Sequence, residues 1–219
     1  MKFRRKSEAA PADPSTEAPE AEAPAPTGPL DADDLPEDGV ERIDLGSLVL
    51  TPQQGRELRL QVDEASGNVQ AVLLAGPDGA VELRAFAAPR GGDLWSEVRP
   101  QLAADMARRG GTATEREGEF GTELVCQLQV ARPDGTTALQ PSRIIGVNGS
   151  RWLLRATVMG RPAMDEQLPQ AWLETVRSVA VRRGAGAMPV GEPLPLVLPP
   201  QARRVDAPPA SPPTAPPTA

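Results

Sequence analysis

The chain has 219 residues, 26 of them proline, a net charge of −7, and neither histidine nor tyrosine. The missing histidine excludes Ser-His-Asp and Cys-His nucleophiles, histidine metal sites and the HExxH zinc motif from this chain. The single cysteine, Cys126, excludes an internal disulfide and any CxxC redox or thiolate zinc site within one chain.

The two ends differ from the middle. Residues 1–40 hold seven of the prolines and ten acids against four bases, and residues 201–219 hold six more prolines. Neither stretch has a periodic apolar pattern that could offset chain entropy, so both read as disordered arms. A single domain is expected over 41–200, with 17 bases and 19 acids and thus almost no net charge. The acidic arm disfavours general nucleic-acid affinity. Lysine ends at Lys6 and every later base is arginine, which reads as the codon bias of a GC-rich genome rather than as phosphate recognition. The basic start "MKFRRK" is followed by no apolar run of signal-peptide length, and no window reaches 18 apolar residues. A cytoplasmic protein without a transmembrane segment is expected.

"RELRLQV" (56–62) alternates apolar and polar residues as a half-buried strand does. After the turn "ASGN" come "VQAVLLA" (69–75), the turn "GPDG" (76–79) and "AVELRAFA" (80–87), which complete a meander of three strands. A helix is expected over 93–109, with Asp93 as N-cap and Gly110-Gly111 as its stop. Trp95, Val98, Leu102 and Met106 form its buried stripe. Pro100 removes a backbone donor, so a kink or a later start is expected there.

Strands follow at 112–119 and 122–131, hinged at Phe120-Gly121, and "RPDG" (132–135) is a further turn. "ALQPSRIIGV" (138–147) and "RWLLRATVM" (151–159) form a hairpin across Asn148-Gly149, and Pro141 places the start of the first strand at an edge or bulge. A second helix over 163–178 buries Leu168, Trp172 and Val176, "VAVRR" (179–183) is a short strand, and the Pro-spaced segment 188–200 lies extended over the domain. Short turns between consecutive strands imply antiparallel pairing. The fold expected is α+β: an antiparallel sheet of about seven or eight strands with two amphipathic helices packed on one face.

The strings "DDLPEDGVERIDLGSL" (33–48), "VDEASG" (62–67), "LRAFAAPR" (83–90), "WSEVR" (95–99), "FGTEL" (120–124), "RPDGTTALQPSR" (132–143) and "RWLLR" (151–155) resemble an actinobacterial family of uncharacterised proteins, domain of unknown function 3710. The resemblance covers about residues 33–200. It implies no established activity and no catalytic residues. By fold-level analogy, the order of strands and helices resembles the scaffold of Mog1/PsbP-like domains, which does not imply a function.

Few residues offer chemistry. No Gly-Lys-Ser/Thr exists for a phosphate loop, "GAGAMP" (184–189) ends in proline where a dinucleotide loop needs glycine, and "DADDLPED" (31–38) fails the calcium-loop pattern at Leu35 and Pro36. No cofactor, metal ligand or catalytic residue is assigned. Glu97, Glu117, Glu123 and Glu174 are candidates for carboxylate-only catalysis, but each also reads as a solvated face. Glu115, Glu117 and Glu119 alternate on one strand face toward water, while Cys126 shares a core face with Leu124, Leu128 and Val130. Trp95, Trp152 and Trp172 read as core.

One cluster offers an anion or partner contact. A three-residue hairpin loop at 148–150 would set Arg143 opposite Arg155, two like charges in need of a counter-ion. A two-residue loop would set Arg143 opposite Leu154 and dissolve the pair, leaving arginines that snorkel from a wet sheet face. The function expected is a non-catalytic binding or accessory module for a protein partner. The alternatives are an enzyme using carboxylate and arginine alone, or a nucleic-acid-associated protein acting through the arginine-bearing sheet face. An exposed apolar patch near Trp95 or on 188–200 would favour the first.

Overall fold

The computed structural model describes residues 28–131 and 135–199. The arms before 28 and after 199, and most of the turn "RPDG", lie outside the described residues. In chain order the elements are β1 (Leu30–Asp31), β2 (Ile43–Asp44), β3 (Leu48–Leu50), β4 (Glu57–Val62), β5 (Val69–Ala75), β6 (Gly79–Ala87), α1 (Leu94–Arg108), β7 (Thr112–Gly118), β8 (Gly121–Ala131), β9 (Thr137–Asn148), β10 (Trp152–Gly160), α2 (Gln170–Arg177) and β11 (Val179–Val181). Short 3-10 turns occupy Ala32–Asp34 and Arg161–Met164.

The fold is α+β. Seven antiparallel strands form one sheet in the order β4-β5-β6-β10-β9-β8-β7, and β1-β11-β3-β2 form a smaller sheet. The two meanders β4–β6 and β7–β9 are joined by β10, which pairs with β6 on one side and β9 on the other. This central position explains the composition of β10. Trp152, Leu154, Ala156 and Val158 are buried toward one face, and Leu153 is buried toward the other.

Each face has its own cover. On the first, α2 and the small sheet pack Trp172, Val176, Leu48, Leu50, Val179 and Val181 onto the odd-numbered apolar residues of β6 and the even-numbered ones of β10. On the second, α1 lays Leu94, Trp95 and Met106 onto Leu124, Cys126, Leu128, Ile144 and Leu153. Each fully buried Leu or Val contributes about 1.5–3 kcal/mol by leaving water. The helices therefore lie on opposite faces of the large sheet, not on one face as the sequence implied. Helical periodicity marks the stripe a helix buries, but carries nothing about which face of a distant sheet receives it.

Helix α1 begins at Leu94 behind the Asp93 cap and runs through Pro100, so the expected late start does not occur. Pro100 is solvent-exposed, where the Ser96 carbonyl that loses its helical partner is near water. In β9, pairing with β10 stops at Ser142, so Thr137–Pro141 has no β10 neighbour and proline is tolerated there. A two-residue turn at Glu119–Phe120 joins β7 to β8, with Gly118 opposite Gly121. Gly121 adopts φ +97°, which favours glycine.

Two features differ further from the sequence reading. Residues 28–40, assigned to a disordered arm, carry β1, and Leu30 and Asp31 pair in parallel with Ala180 and Val181. The Trp152 indole donates to Asp31 Oδ1 at 2.6 Å, which gives a buried N–H its acceptor. The hairpin register is the second. Asn148 pairs with Leu153, and Gly149 N donates to the Trp152 carbonyl at 2.7 Å, so neither of the expected loops forms. Asn148 is held in the strand because its amide is used elsewhere: Oδ1 accepts from Trp95 N at 3.1 Å, and Nδ2 donates to Asp93 Oδ1 at 2.7 Å.

Candidate functional site

The register separates the two arginines singled out from the sequence. Arg143 lies opposite Val158 and Arg155 opposite Gly146, so their side chains leave opposite faces of the sheet. Arg143 is 2% exposed beneath the chain that follows the Arg161–Met164 turn. It meets Glu123 at 3.2 Å and donates to the Asp165 carbonyl. Glu123 is itself 4% exposed, so it is not the solvated carboxylate that its sequence context implied. Burial pushes the Glu123 carboxyl above its ordinary pKa, against the pull of Arg143 and Arg116.

Arg155 instead faces Arg84. They are direct cross-strand partners on β10 and β6, on the face that α1 only partly covers. Glu82 lies between them, 3.1 Å from Arg84 Nε and 3.7 Å from Arg155. The Arg155 guanidinium lies 5.2 Å from the Phe86 ring centroid. Burial first, and then the neighbouring Arg84, lower the Arg155 pKa, while Glu82 acts in the opposite sense. A groove of about 260 Å³ opens from Arg155 along α1, with Leu102, Met106, Leu128, Ile144 and Met159 as its apolar lining. Ser142 and Thr157 add hydroxyls, Gln140 an amide, Arg109 a second guanidinium and Asp105, paired with Arg108, a carboxylate. A larger depression of about 410 Å³ beside Gly55–Arg59 offers less, because Arg59 and Glu57 pair with each other there and Arg56 stacks on Trp172.

The remaining candidate carboxylates do not converge. Glu97 is exposed on α1, Glu174 is exposed on α2 across the sheet, and Glu117 on the edge strand β7 accepts from Thr122 Oγ1 at 2.8 Å. Glu115 pairs with Arg99 of α1, whereas Glu119, in the turn, meets Arg177 of α2, so the three alternating glutamates do not share one open face. Cys126 is buried, and burial pushes its thiol up to about 11, the behaviour of a small core residue. Trp95, Trp152 and Trp172 are likewise core. Among the described residues, no three of Cys, Asp or Glu gather in a way that could hold a metal ion.

The segment 191–197 forms a strap between the two sheets. Gly191 N donates to the Ala87 carbonyl, Leu194 N to that of Ala85 and Val197 N to that of Leu45, while Leu196 bridges Gly46 and Val69. Leu194 is buried beneath the strap, but Val197 and Leu198 are about half exposed. Val62, also exposed, is the register partner of Val69, and this places it beside the same end of the strap. The sequence signalled the extended course of this segment through its prolines, but not which of its apolar side chains stay in water.

Among the described residues, no helix is long and apolar enough to cross a membrane. No curated protein matches the chain. Among solved structures, a crystal structure from Bacteroides thetaiotaomicron is similar at a TM-score of 0.36 and 11% identity, covering 65% of this chain and 47% of that one. The chain thus spans less than half the length of that structure. Residues 28–205, which include both sheets, both helices and the strap, match the family described as "protein of unknown function (DUF3710)", and the chain belongs to that family.

Proposed function

We propose that this domain is a non-catalytic binding module that works in the cytoplasm by docking on a protein partner through its strap. The observation that carries this reading is the set of apolar side chains left in water at the strap's end: Val197, Leu198 and the neighbouring Val62. The strap's own backbone is tied to both sheets, so these side chains are held on a rigid base rather than on a free tail. Large apolar side chains left in water on a fixed surface favour a protein contact. The scattered carboxylates and the buried thiol support a binding role over a catalytic one.

The test compares proteins recovered with the tagged native chain and with a V197D/L198D variant, after checking that the two melt at the same temperature. The reading requires a partner recovered by the native chain and lost with the variant. Recovery of the same set by both, or of none by the native chain, overturns it.

A further inference from the structure

We propose that Arg84 and Arg155 form a receptor for a small organic oxyanion, a carboxylate or phosphate whose short apolar body lies in the groove along α1. The strands β6 and β10 set the two guanidiniums directly opposite each other, an arrangement that like charges disfavour. Among the described residues Glu82 is the acid that pairs with them, and it lies closer to Arg84 than to Arg155. One carboxylate against two guanidiniums leaves a net positive charge on a face that is partly shielded from water.

Hydrogen bonding points the same way. Arg155 Nε is buried without a hydrogen bond, and Arg84 Nε faces only the shared Glu82, although each guanidinium presents five N–H donors in a planar fork. Leaving such donors unmet is costly, and the fork matches two oxygens of a carboxylate or phosphate. The contrast with the other face lies in the number of acids, because Arg143 Nε is also buried without a hydrogen bond. There Arg143 has its own carboxylate in Glu123 and a carbonyl in Asp165, the one-to-one arrangement of a structural pair. Arg84 and Arg155 share a single acid, so the charge balance on the α1 face favours a further anion. An incoming anion would act on Arg155 in the same sense as Glu82, against the depression caused by burial and Arg84.

The groove specifies the rest of the ligand. Leu102 and Met106 on the helix and Leu128, Ile144 and Met159 on the sheet supply apolar lining among polar neighbours, with Asp105 held by Arg108, and about 260 Å³ suits a chain of several carbons rather than a large ligand. A nucleic-acid strand would need exposed aromatic stacking platforms. The ring nearest these arginines, Phe86, already has the Arg155 guanidinium over it.

The experiment titrates the full chain with octanoate, octanol and inorganic phosphate. Calorimetry and the arginine Nε–Hε NMR signals serve as readouts. Octanoate should bind saturably, shift the Arg84 and Arg155 signals, and bind at least tenfold more tightly than octanol or phosphate. Arg155→Gln should weaken octanoate binding at least tenfold. Glu82→Gln, which removes the competing carboxylate, should tighten it severalfold, and so keeps the test open even if the arginine variant folds poorly. Octanol binding as well as octanoate would eliminate the anion receptor, and phosphate binding as well as octanoate would eliminate the groove's part in it. An unchanged affinity in Glu82→Gln, or no octanoate binding at all, would overturn the proposal.

Discussion

Arg143 on β9 and Glu123 on β8 form an ion pair of 3.2 Å with both side chains almost wholly removed from water. Glu123 stands two residues along β8 from Val125, the direct partner of Arg143, so the contact is a diagonal one on a single sheet face. Removing one partner of such a pair leaves an uncompensated buried charge, at a cost of about 3–5 kcal/mol. Arg143→Met should lower the free energy of unfolding in urea by about that amount. The double variant Arg143→Met/Glu123→Leu should recover most of the loss, because two apolar side chains need no counter-charge.

The same pair gives Glu123 an unusual pH signature. Burial raises its carboxyl pKa in the fold, so between its ordinary and its raised value the folded chain holds a proton that the unfolded chain has lost. The stability from this group is full below the ordinary value and is lost as pH rises through the raised one. Glu123→Gln cannot titrate, so its stability relative to the native chain should increase as pH climbs through that window. Urea unfolding curves at a series of mildly acidic to neutral pH values measure this difference. The opposite slope would mean that the attraction of Arg143 outweighs burial.

Asp93 titrates in the other direction. Its carboxylate accepts from Ser96 Oγ at 2.5 Å, from Ser96 N at 3.0 Å and from Asn148 Nδ2 at 2.7 Å. The bonds from the Ser96 side chain and backbone hold its pKa below the usual carboxylate range, against a small opposing effect of burial. Its contribution is therefore present above the ordinary value and fades as pH falls through the depressed one. Asp93→Ala should cost about 1–2 kcal/mol at neutral pH, as the loss of an N-cap does. In strong acid the native chain and the variant should converge, which chemical denaturation at both pH values can check.

Gly146 sits under the Trp95 indole. A Cβ built there would lie 2.1 Å from the ring, so helix α1 can rest on β9 only because this position carries no side chain. Gly146→Ala should destabilise the domain by about 1–3 kcal/mol through overpacking. It should also alter the near-ultraviolet circular dichroism of Trp95, whose indole donates to the Thr122 carbonyl at 2.6 Å. Thermal melts and that spectrum together separate overpacking from a change in secondary structure.

Much of the local structure was legible in the chain. The apolar run "VQAVLLA" between the turns "ASGN" and "GPDG" marked β5 to the residue, because a short apolar run bounded by turn residues reads as a strand. Asp93 and Gly110-Gly111 bracketed α1, because helix ends need acceptors and left-handed stops. The short strands β1, β2 and β3 went unread, since two or three residues carry no period and are strands only because β11 and one another are alongside.

What the sequence determined by itself was therefore the kind of element at each long segment, the core character of the three tryptophans and Cys126, and the exclusion of histidine and thiolate chemistry. The tertiary structure decided which charges meet. Asn148 looked like a turn residue, yet it is spent on the start of α1, and that moves the hairpin register and sends Arg143 and Arg155 to opposite faces. A strand's side chains alternate strictly, so partnership across a sheet depends on register, and register depends on contacts far away in sequence. For this reason the arginine pair on the α1 face is Arg155 with Arg84, 71 positions apart, rather than the pair that the hairpin alone implied.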